Sequence, residues 1–315
     1  MEATEMRTTE DLQIKQLMVV RPRYGELLIQ ASLAACALLS IITTVGIVIA
    51  LIEPSIEFFS EISIIKFFGG VEWAPLFNPP SFGVIPLITG TLVTTFWALI
   101  VCIPFGLGAA TYLSEYASPR TRGFLKPVLE VLAGIPTVVY GFFALTFVTP
   151  LIQDIWPWGD GPGVFNAFSA GIVMGVMILP TIASLSEDAM AAVPGGLREG
   201  ALALGSNKAQ VSTRVVLPAA LSGIVAGFVL GVSRAVGETM IVLVAAGGTP
   251  NLSFNSFEGM QTMTAFIAAA GLGDQPTGSI GYKTIFAVGA TLFVITFVMN
   301  MFSIRLVRKY REVYE

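Results

Sequence analysis

Six stretches of about twenty predominantly apolar residues constrain the fold of this 315-residue chain more than any other feature. A helix needs about 20 such residues to cross the hydrocarbon core of a bilayer. Only 12% of the residues are charged, against roughly a quarter in soluble domains. The sequence therefore predicts an all-α membrane protein whose six transmembrane helices form one domain over residues 27–304. The predicted spans are residues 27–52, 84–113, 124–151, 167–185, 219–246 and 284–304.

The basic residues are distributed unevenly among the loops between these spans. If both termini are cytoplasmic, 14 of the 17 lysines and arginines lie on the cytoplasmic side, as the positive-inside rule requires. The sequence therefore predicts cytoplasmic segments at residues 1–26 and 305–315 and rejects the inverted topology. The cytoplasmic basic residues are then Arg7, Lys15, Arg21, Arg23, Arg120, Arg122, Lys126, Arg198, Lys208, Arg214, Arg305, Arg308, Lys309 and Arg311.

The chain offers few groups for metal binding or covalent chemistry. It contains no histidine, and both Cys36 and Cys102 lie within apolar stretches, where a thiol behaves as a small hydrophobe. No G-x-x-x-x-G-K-[ST] sequence is present, so there is no P-loop to hold nucleotide phosphates. The sequence predicts a chain that is not an enzyme and binds no metal or cofactor of its own.

The polar loop at residues 186–218 carries a spaced motif. Glu199-Gly200-Ala201 is followed after three residues by Gly205 and, after nine more, by VVLP at residues 215–218. This pattern resembles the EAA loop of ABC-importer permeases, with Gly200 and Val215 as mild departures. The resemblance implies type I ABC importer permease architecture and a loop that couples the chain to an ATPase subunit. The implied coupling residues are Glu199, Gly200, Ala201, Gly205, Leu217 and Pro218.

The residue types of this loop also predict its local structure. Residues 199–205 should form a short helix that ends where Gly205 adopts a turn without a Cβ penalty. Pro218 can lie near the start of the next span, where its missing N–H costs little. The alternative interpretation is an ordinary cytoplasmic loop. If the loop does couple to an ATPase, that partner binds the ATP and magnesium.

Arg234 and Glu238 are charged residues inside the fifth apolar stretch. Burying a charge near mid-membrane costs at least ~2.5 kcal/mol, so such residues are functional candidates. A spacing of four places both on one face of a continuous helix, where they can pair. One hypothesis is an anion path in which Arg234 attracts the anion and Glu238 limits how tightly it is held. The alternative is a structural ion pair that fixes the rotation of the helix.

Small residues also repeat every four positions along the fifth stretch. Such a stripe allows close approach of another helix, perhaps from a partner permease. The repeating residues are Ala219, Gly223, Gly227, Gly231 and Ala235.

Pro136 interrupts the third apolar stretch just before Thr137 and Tyr140. A proline kinks a helix because it lacks an N–H and clashes with the preceding turn, and a broken helix in a membrane can line a cavity. The kink therefore either lines a substrate path or is purely structural, and Glu130 beside it could pair with a nearby basic residue. In the outer segment at 247–283, residues 257–271 could form a short helix.

Four sequence segments together resemble one permease family over nearly the whole chain. They are residues 72–90 (which include PPSFGVIPL at 79–87), YLSEY at 112–116, GIPTVVYGFF at 134–143 and SRAVGETM at 233–240. These resemble the PstC family of phosphate-importer permeases, in which the 79–87 pattern distinguishes PstC from its sister PstA. The resemblance implies a substrate path for inorganic phosphate that includes Arg234 and Glu238, to which we add Thr239, Tyr140 and Thr137.

The same resemblance implies the protein's partners and location. These are the second permease PstA, two copies of the ATPase PstB, the periplasmic or lipid-anchored phosphate-binding protein PstS, and the lipid of the bacterial plasma (inner) membrane, with no nucleic acid. The alternatives are the sister permease PstA itself or a permease for another oxyanion such as molybdate or sulfate. An intramembrane enzyme or a passive channel does not explain the coupling loop.

Overall fold

Long apolar helices make up most of the computed structural model, which describes residues 24–156, 161–273 and 275–309. The predictions for residues 1–23, including the basic residues Arg7, Lys15, Arg21 and Arg23, lie outside the described residues, as does Arg311. The helices and strands in chain order are α1 (Tyr24–Glu61), α2 (Ile64–Gly69), β1 (Trp73–Ala74), β2 (Ser81–Phe82), α3 (Ile85–Tyr116), α4 (Pro119–Ala133), α5 (Thr137–Ile155), α6 (Ala167–Ala191), α7 (Gly195–Ala203), α8 (Lys208–Ala219), α9 (Leu221–Val236), α10 (Met263–Leu272) and α11 (Ile280–Lys309).

The chain divides into two compact units at Ala50. The described part of the first unit, residues 24–50, is the N-terminal part of α1, and its side chains are almost all exposed. The second unit, residues 51–315, contains the remaining elements. Within the described residues, five helices are long and apolar enough to span a membrane, and α8 with α9 makes a sixth span if this bent pair is counted as one. The prediction of an all-α membrane protein is therefore confirmed.

The third predicted span, residues 124–151, is wrong as a single helix. The structure contains two helices instead, α4 and α5, separated at Gly134–Pro136. Ser118 caps α4 by accepting a hydrogen bond from the N–H of Thr121, and Pro119 occupies the first turn. Pro136 adopts an extended conformation and cannot continue α4. The membrane-spanning helix therefore begins at Thr137 and runs to Ile155.

The fifth predicted span, residues 219–246, is also interrupted. α9 ends at Val236 and is followed by a non-helical connection around Gly237 and then by π-helical residues Val242–Ala246. At its other end α9 is bent by 71° from α8. The 16 residues of α9 extend about 24 Å at 1.5 Å per residue, which is less than the roughly 30 Å of hydrocarbon.

Glycines allow the central helices to pack closely. A Cβ added at Gly171 of α6 lies 2.6 Å from the Cβ of Trp97 on α3, and one at Gly175 lies 2.7 Å from the carbonyl oxygen of Ala98. The small-residue stripe of α9 packs against the same helix, because a Cβ at Gly223 meets Ala189 at 2.5 Å and one at Gly231 meets Ile182 at 2.9 Å. The stripe therefore serves packing within this chain, against α6.

The outer segment after residue 247 contains the predicted short helix, α10. Thr262 caps it by accepting a hydrogen bond from the N–H of Ala265, and Met263 donates its N–H to Thr91 Oγ1 of α3 at 3.1 Å. The helix spans Met263–Leu272 rather than the predicted 257–271, because the residues before it form a loop. In that loop, hydrogen bonds from Asn255 and then Asn251 hold the pKa of Glu258 below its usual range.

Candidate functional site

Arg234 is half-buried two residues before the end of α9. Its Nη1 atom donates a hydrogen bond to Thr181 Oγ1 on α6 at 3.1 Å. This is its hydrogen-bond partner among the described residues, and it is neutral. The guanidinium therefore stands where α9 packs against α6.

Glu238 is buried, with 8% of its surface exposed, and acts as a helix cap. Its Oε1 atom accepts hydrogen bonds from the backbone N–H groups of Met240 at 3.0 Å and Ile241 at 3.2 Å. These are N–H groups at the start of a helical segment, which lack a partner within the helix. Its backbone carbonyl accepts a hydrogen bond from Thr264 Oγ1 of α10 at 2.6 Å. Glu238 therefore fixes the connection between α9, the π-helical residues and α10.

The predicted ion pair between Arg234 and Glu238 is absent from the described part of the chain. The prediction assumed one continuous helix, on which residues four apart are neighbours. The helix ends before Glu238, because Gly237 terminates α9 and the chain then turns. The carboxylate is directed to backbone N–H groups, where a helix N-terminus favours negative charge, rather than to Arg234.

Of the other three predicted path residues, Thr239 and Tyr140 lie at or near this helix break. Tyr140 is buried and donates its hydroxyl hydrogen to the carbonyl of Leu132 at 2.8 Å. Its neighbour Gly141 packs against the start of the π-helical region, where an added Cβ meets the carbonyl of Met240 at 3.1 Å. Thr239 follows Glu238 directly. Thr137 is half-buried at the first position of α5, and the hydrogen bond of Arg234 goes to Thr181 rather than to it.

A cavity of about 280 Å³ lies beside Thr181, the partner of Arg234. It is formed by α4, α6 and α9 and is lined mainly by apolar side chains. Its polar lining includes Lys126, Glu130 and Ser184. Glu130 is exposed, and it makes none of the ion pairs found among the described residues. The pairing suggested for it from the sequence is therefore not formed here.

The coupling loop has the local structure that its sequence predicts. α7 contains Glu199, Gly200 and Ala201, and it ends with Gly205 at φ +84°. The N–H of Gly205 bonds to the carbonyl of Leu202, and the N–H of Ser206 bonds to that of Ala201. These two bonds define a Schellman motif, in which glycine occupies the left-handed position. A helix ended by this glycine was predicted, and the structure adds that it starts at Gly195.

The second half of the loop differs from the prediction. Leu217 and Pro218 lie near the end of α8, after the π-helical residues Ser212–Val216 and before the bend at Ala220. Pro218 therefore ends the helix before α9 rather than starting α9 itself. The exposed surface of the loop is on α7 and its turn, where Glu199 and Gly200 are accessible and Leu204 is 90% exposed.

Two ionic clusters near this loop were not identified from the sequence. In one, Glu187 of α6 is 1% exposed and pairs with Arg122 and Lys126 of α4. Hydrogen bonds to Asp188 and then Glu187 raise the pKa of Lys126, which stays charged. In the other, Arg198 of α7 pairs with Glu115 at the end of α3. The only sequence signal for either cluster was opposite charge in loops that are far apart in the chain.

Comparison with known proteins identifies the family that the chain matches and relatives with a similar sequence. Residues 102–312 match the family described as binding-protein-dependent transport system inner membrane component. The chain is 37% identical to the probable ABC transporter permease protein YqgH of Bacillus subtilis, over 84% of each chain. It is 33% identical to the phosphate transport system permease protein PstC of Xylella fastidiosa, over 78% of this chain and 80% of that one.

A solved structure shows the same fold at low sequence identity. It is a bacterial alginate ABC transporter in complex with an alginate-bound periplasmic protein, and it aligns with a TM-score of 0.65 at 17% identity. The alignment covers 91% of this chain and 96% of the other. The predicted importer-permease architecture and the resemblance to PstC are both confirmed by these comparisons.

Proposed function

Because this chain belongs to the family of binding-protein-dependent transport system inner membrane components, we propose that it is the PstC-type permease of an ATP-driven phosphate importer. The single observation that carries the anion path is Arg234, a cation within a span whose hydrogen-bond partner among the described residues is the neutral Thr181. Since the Glu238 carboxylate caps a helix, the guanidinium charge is not offset by it and is available to an anion.

The proposed path passes the helix break. Arg234 attracts the phosphate, and Thr239, Tyr140 and Thr137 lie on the elements that surround the break. Glu238 holds the geometry of the break and keeps its own charge directed at N–H groups, so it repels the anion less than a free carboxylate.

The proposed coupling runs through α7 and its turn. Two PstB-type ATPases bind ATP and magnesium and close on each other, and the ATPase that contacts Glu199, Gly200, Ala201 and Gly205 moves the loop. Leu217 and Pro218 carry the movement into α9. A PstA-type permease supplies the other half of the path, and a PstS-type protein delivers phosphate. In this arrangement both termini and the loop are cytoplasmic in the bacterial plasma membrane.

Uptake into vesicles tests the substrate. The chain is assembled with its second permease, ATPases and binding protein, and import of labelled phosphate is measured with unlabelled phosphate, molybdate or sulfate as the competitor. We expect unlabelled phosphate to reduce the import of label, and molybdate and sulfate to leave it unchanged. Strong competition by molybdate or sulfate would favour the alternative of a different oxyanion importer.

Arg234→Gln tests the path. We expect the complex to assemble in normal amount and phosphate uptake to be abolished, because the glutamine keeps a polar side chain at this position but removes the charge. Arg120→Gln is the matched control, since Arg120 is an exposed arginine of α4 outside the proposed path. Normal uptake by Arg234→Gln would contradict the path.

Gly205→Trp tests the coupling. The position has φ +84° and open space around it, so any side chain meets a backbone penalty of about 1–2 kcal/mol, and the indole occupies the surface offered to the ATPase. We expect normal insertion, weaker co-purification of the ATPase and reduced uptake. Co-purification and uptake at the parent level would reject the coupling role of the loop.

A further inference from the structure

We propose that Arg198 is a positioning residue that transmits movement of α7 to the inner ends of α3 and α6 through Glu115 and two backbone carbonyls. This inference rests on the proposed coupling role of the loop. It concerns the step after the ATPase has bound, namely how displacement of a surface helix reaches the spans.

The first contact is an ion pair with α3. Arg198 Nη2 lies 3.0 Å from Glu115 Oε1, and Nε lies 3.3 Å from the same oxygen. Only 9% of the Glu115 side chain and 24% of the Arg198 side chain are exposed. Glu115 belongs to the π-helical last turn of α3, Tyr112–Tyr116. The pair therefore joins α7 to the end of a span in a largely water-excluded position.

The second contact is with the end of α6. Arg198 Nη1 donates a hydrogen bond to the carbonyl of Val193 at 2.6 Å, and Nη2 donates one to the carbonyl of Met190 at 2.8 Å. α6 ends at Ala191, so these are carbonyls of its last turn and of the residues just beyond it. The last carbonyls of a helix lack partners within the helix and favour a cation.

One planar cation thus holds three elements together. α3 and α6 are themselves in tight contact through Gly171 and Gly175, so they respond to a displacement as a unit. α7 has no buried residue, and it is through Arg198 that it makes these polar contacts with the spans. A displacement of α7 is therefore transmitted to α3 and α6 through the Arg198 guanidinium.

The geometry requires arginine specifically. The guanidinium presents five N–H donors in a fixed plane, which lets it contact a carboxylate and two separate carbonyls at once. A lysine ammonium carries the same charge at a single point and cannot keep all these contacts. Arg198→Lys is thus a test that preserves charge and removes the three-way connection.

The experiment measures coupling in the assembled complex. The chain with Arg198→Lys or Glu115→Gln is reconstituted in vesicles with its second permease, ATPases and binding protein. Complex yield, ATP hydrolysis and phosphate imported per ATP hydrolysed are measured. Arg120→Lys, at an exposed arginine of α4, is the control and should match the parent chain in all three.

We expect both variants to retain the ATPase and hydrolyse ATP, while phosphate imported per ATP falls at least about tenfold, a typical size for coupling between two sites, because displacement of α7 no longer reaches α3 and α6 through the guanidinium. The charge reversal Glu115→Arg with Arg198→Glu should not restore the ratio, because a carboxylate at residue 198 repels the Met190 and Val193 carbonyls.

Three outcomes would overturn the inference. If yield falls but the remaining complex imports the parent amount of phosphate per ATP, Arg198 only stabilises the fold. If Arg198→Lys is fully normal while Gly205→Trp loses the ATPase, the loop still couples but not through Arg198. If both Arg198→Lys and Gly205→Trp are normal, the coupling role of the loop fails as well.

Discussion

At the scale of single residues, Glu238 shows that the partners of a charged side chain in a span depend on where the helix ends. The sequence identified both Arg234 and Glu238, because charges in apolar stretches are conspicuous. The sequence predicted that the two side chains can pair with each other, because Gly237 was assumed to continue the helix, and the structure contains no such pair among the described residues. The same glycine directs Glu238 to the N–H groups of Met240 and Ile241 and leaves Arg234 with Thr181.

Glu238 should therefore behave as a cap in mutagenesis. Glu238→Ala is expected to destabilise the chain by about 0.5–2 kcal/mol, the usual cost of removing a cap. Glu238→Gln should cost less, because its amide oxygen can still accept from the N–H groups. Thermal unfolding of the purified complex measures both. Equal losses for the two variants would contradict the capping role.

The double variant Arg234→Gln with Glu238→Gln separates a cap from an ion pair. Without an ion pair, the losses of yield in the two single variants should add in the double variant, because uncoupled sites behave additively. An ion pair predicts instead that the double variant recovers the yield lost by each single one. Recovery of yield would restore the ion-pair interpretation that the structure replaces.

At the scale of elements, the sequence predicted helices well and interruptions poorly. Apolar length located the first, second, fourth and sixth predicted spans, because that length is set by the bilayer, but it missed the interruptions of the third and fifth. The third membrane-spanning helix begins at Thr137 rather than at the predicted residue 124. The segment before it is a separate helix, α4, which carries Arg120, Arg122 and Lys126 and ends at the Gly134–Pro136 break. A proline was visible in the sequence, but whether it kinks or ends a helix is decided by packing. The charged contacts of Glu187 and Arg198 were beyond prediction, because they join residues more than sixty positions apart.

The contact between α3 and α6 should be intolerant of side chains at its glycines. In Gly175→Val the Cβ position is 2.7 Å from both the carbonyl oxygen of Ala98 and the Cβ of Val101, so overpacking of about 1–3 kcal/mol is expected. The yield and melting temperature of the complex should fall. Gly108→Val is the control, because a Cβ at that glycine of α3 meets nothing within 4 Å. Equal stability of the two variants would mean that the close approach is dispensable.

At the scale of the whole molecule, the orientation in the membrane remains a prediction from the basic residues. It places Ser206, in the turn after α7, in the cytoplasm and residues 247–262 outside. Ser256 in the outer loop could be replaced by cysteine for labelling, but it is half-buried and accepts a hydrogen bond from Trp97 at 2.7 Å. Phe254, which is 84% exposed in the same loop, is a better reporter.

Labelling of intact cells with an impermeant thiol reagent tests this orientation. Cys36 and Cys102 are first replaced by alanine, and Phe254→Cys or Ser206→Cys is then introduced. We expect the reagent to reach position 254 in intact cells and position 206 only after permeabilisation. Labelling of position 206 from outside would reverse the topology and place the coupling loop on the wrong side for an ATPase.

The four π-helical segments found among the described residues have a consequence for comparing this chain with others. Each one, at Tyr112–Tyr116, Ala144–Val148, Ser212–Val216 and Val242–Ala246, widens the backbone to i→i+5 bonding and so accommodates one residue more than a regular helix. A relative whose helix is regular at one of these places should align with a gap of a single residue inside a span. Placing that gap in a neighbouring loop instead would rotate every later position of the span by about 100° and assign lipid-facing residues to the interior.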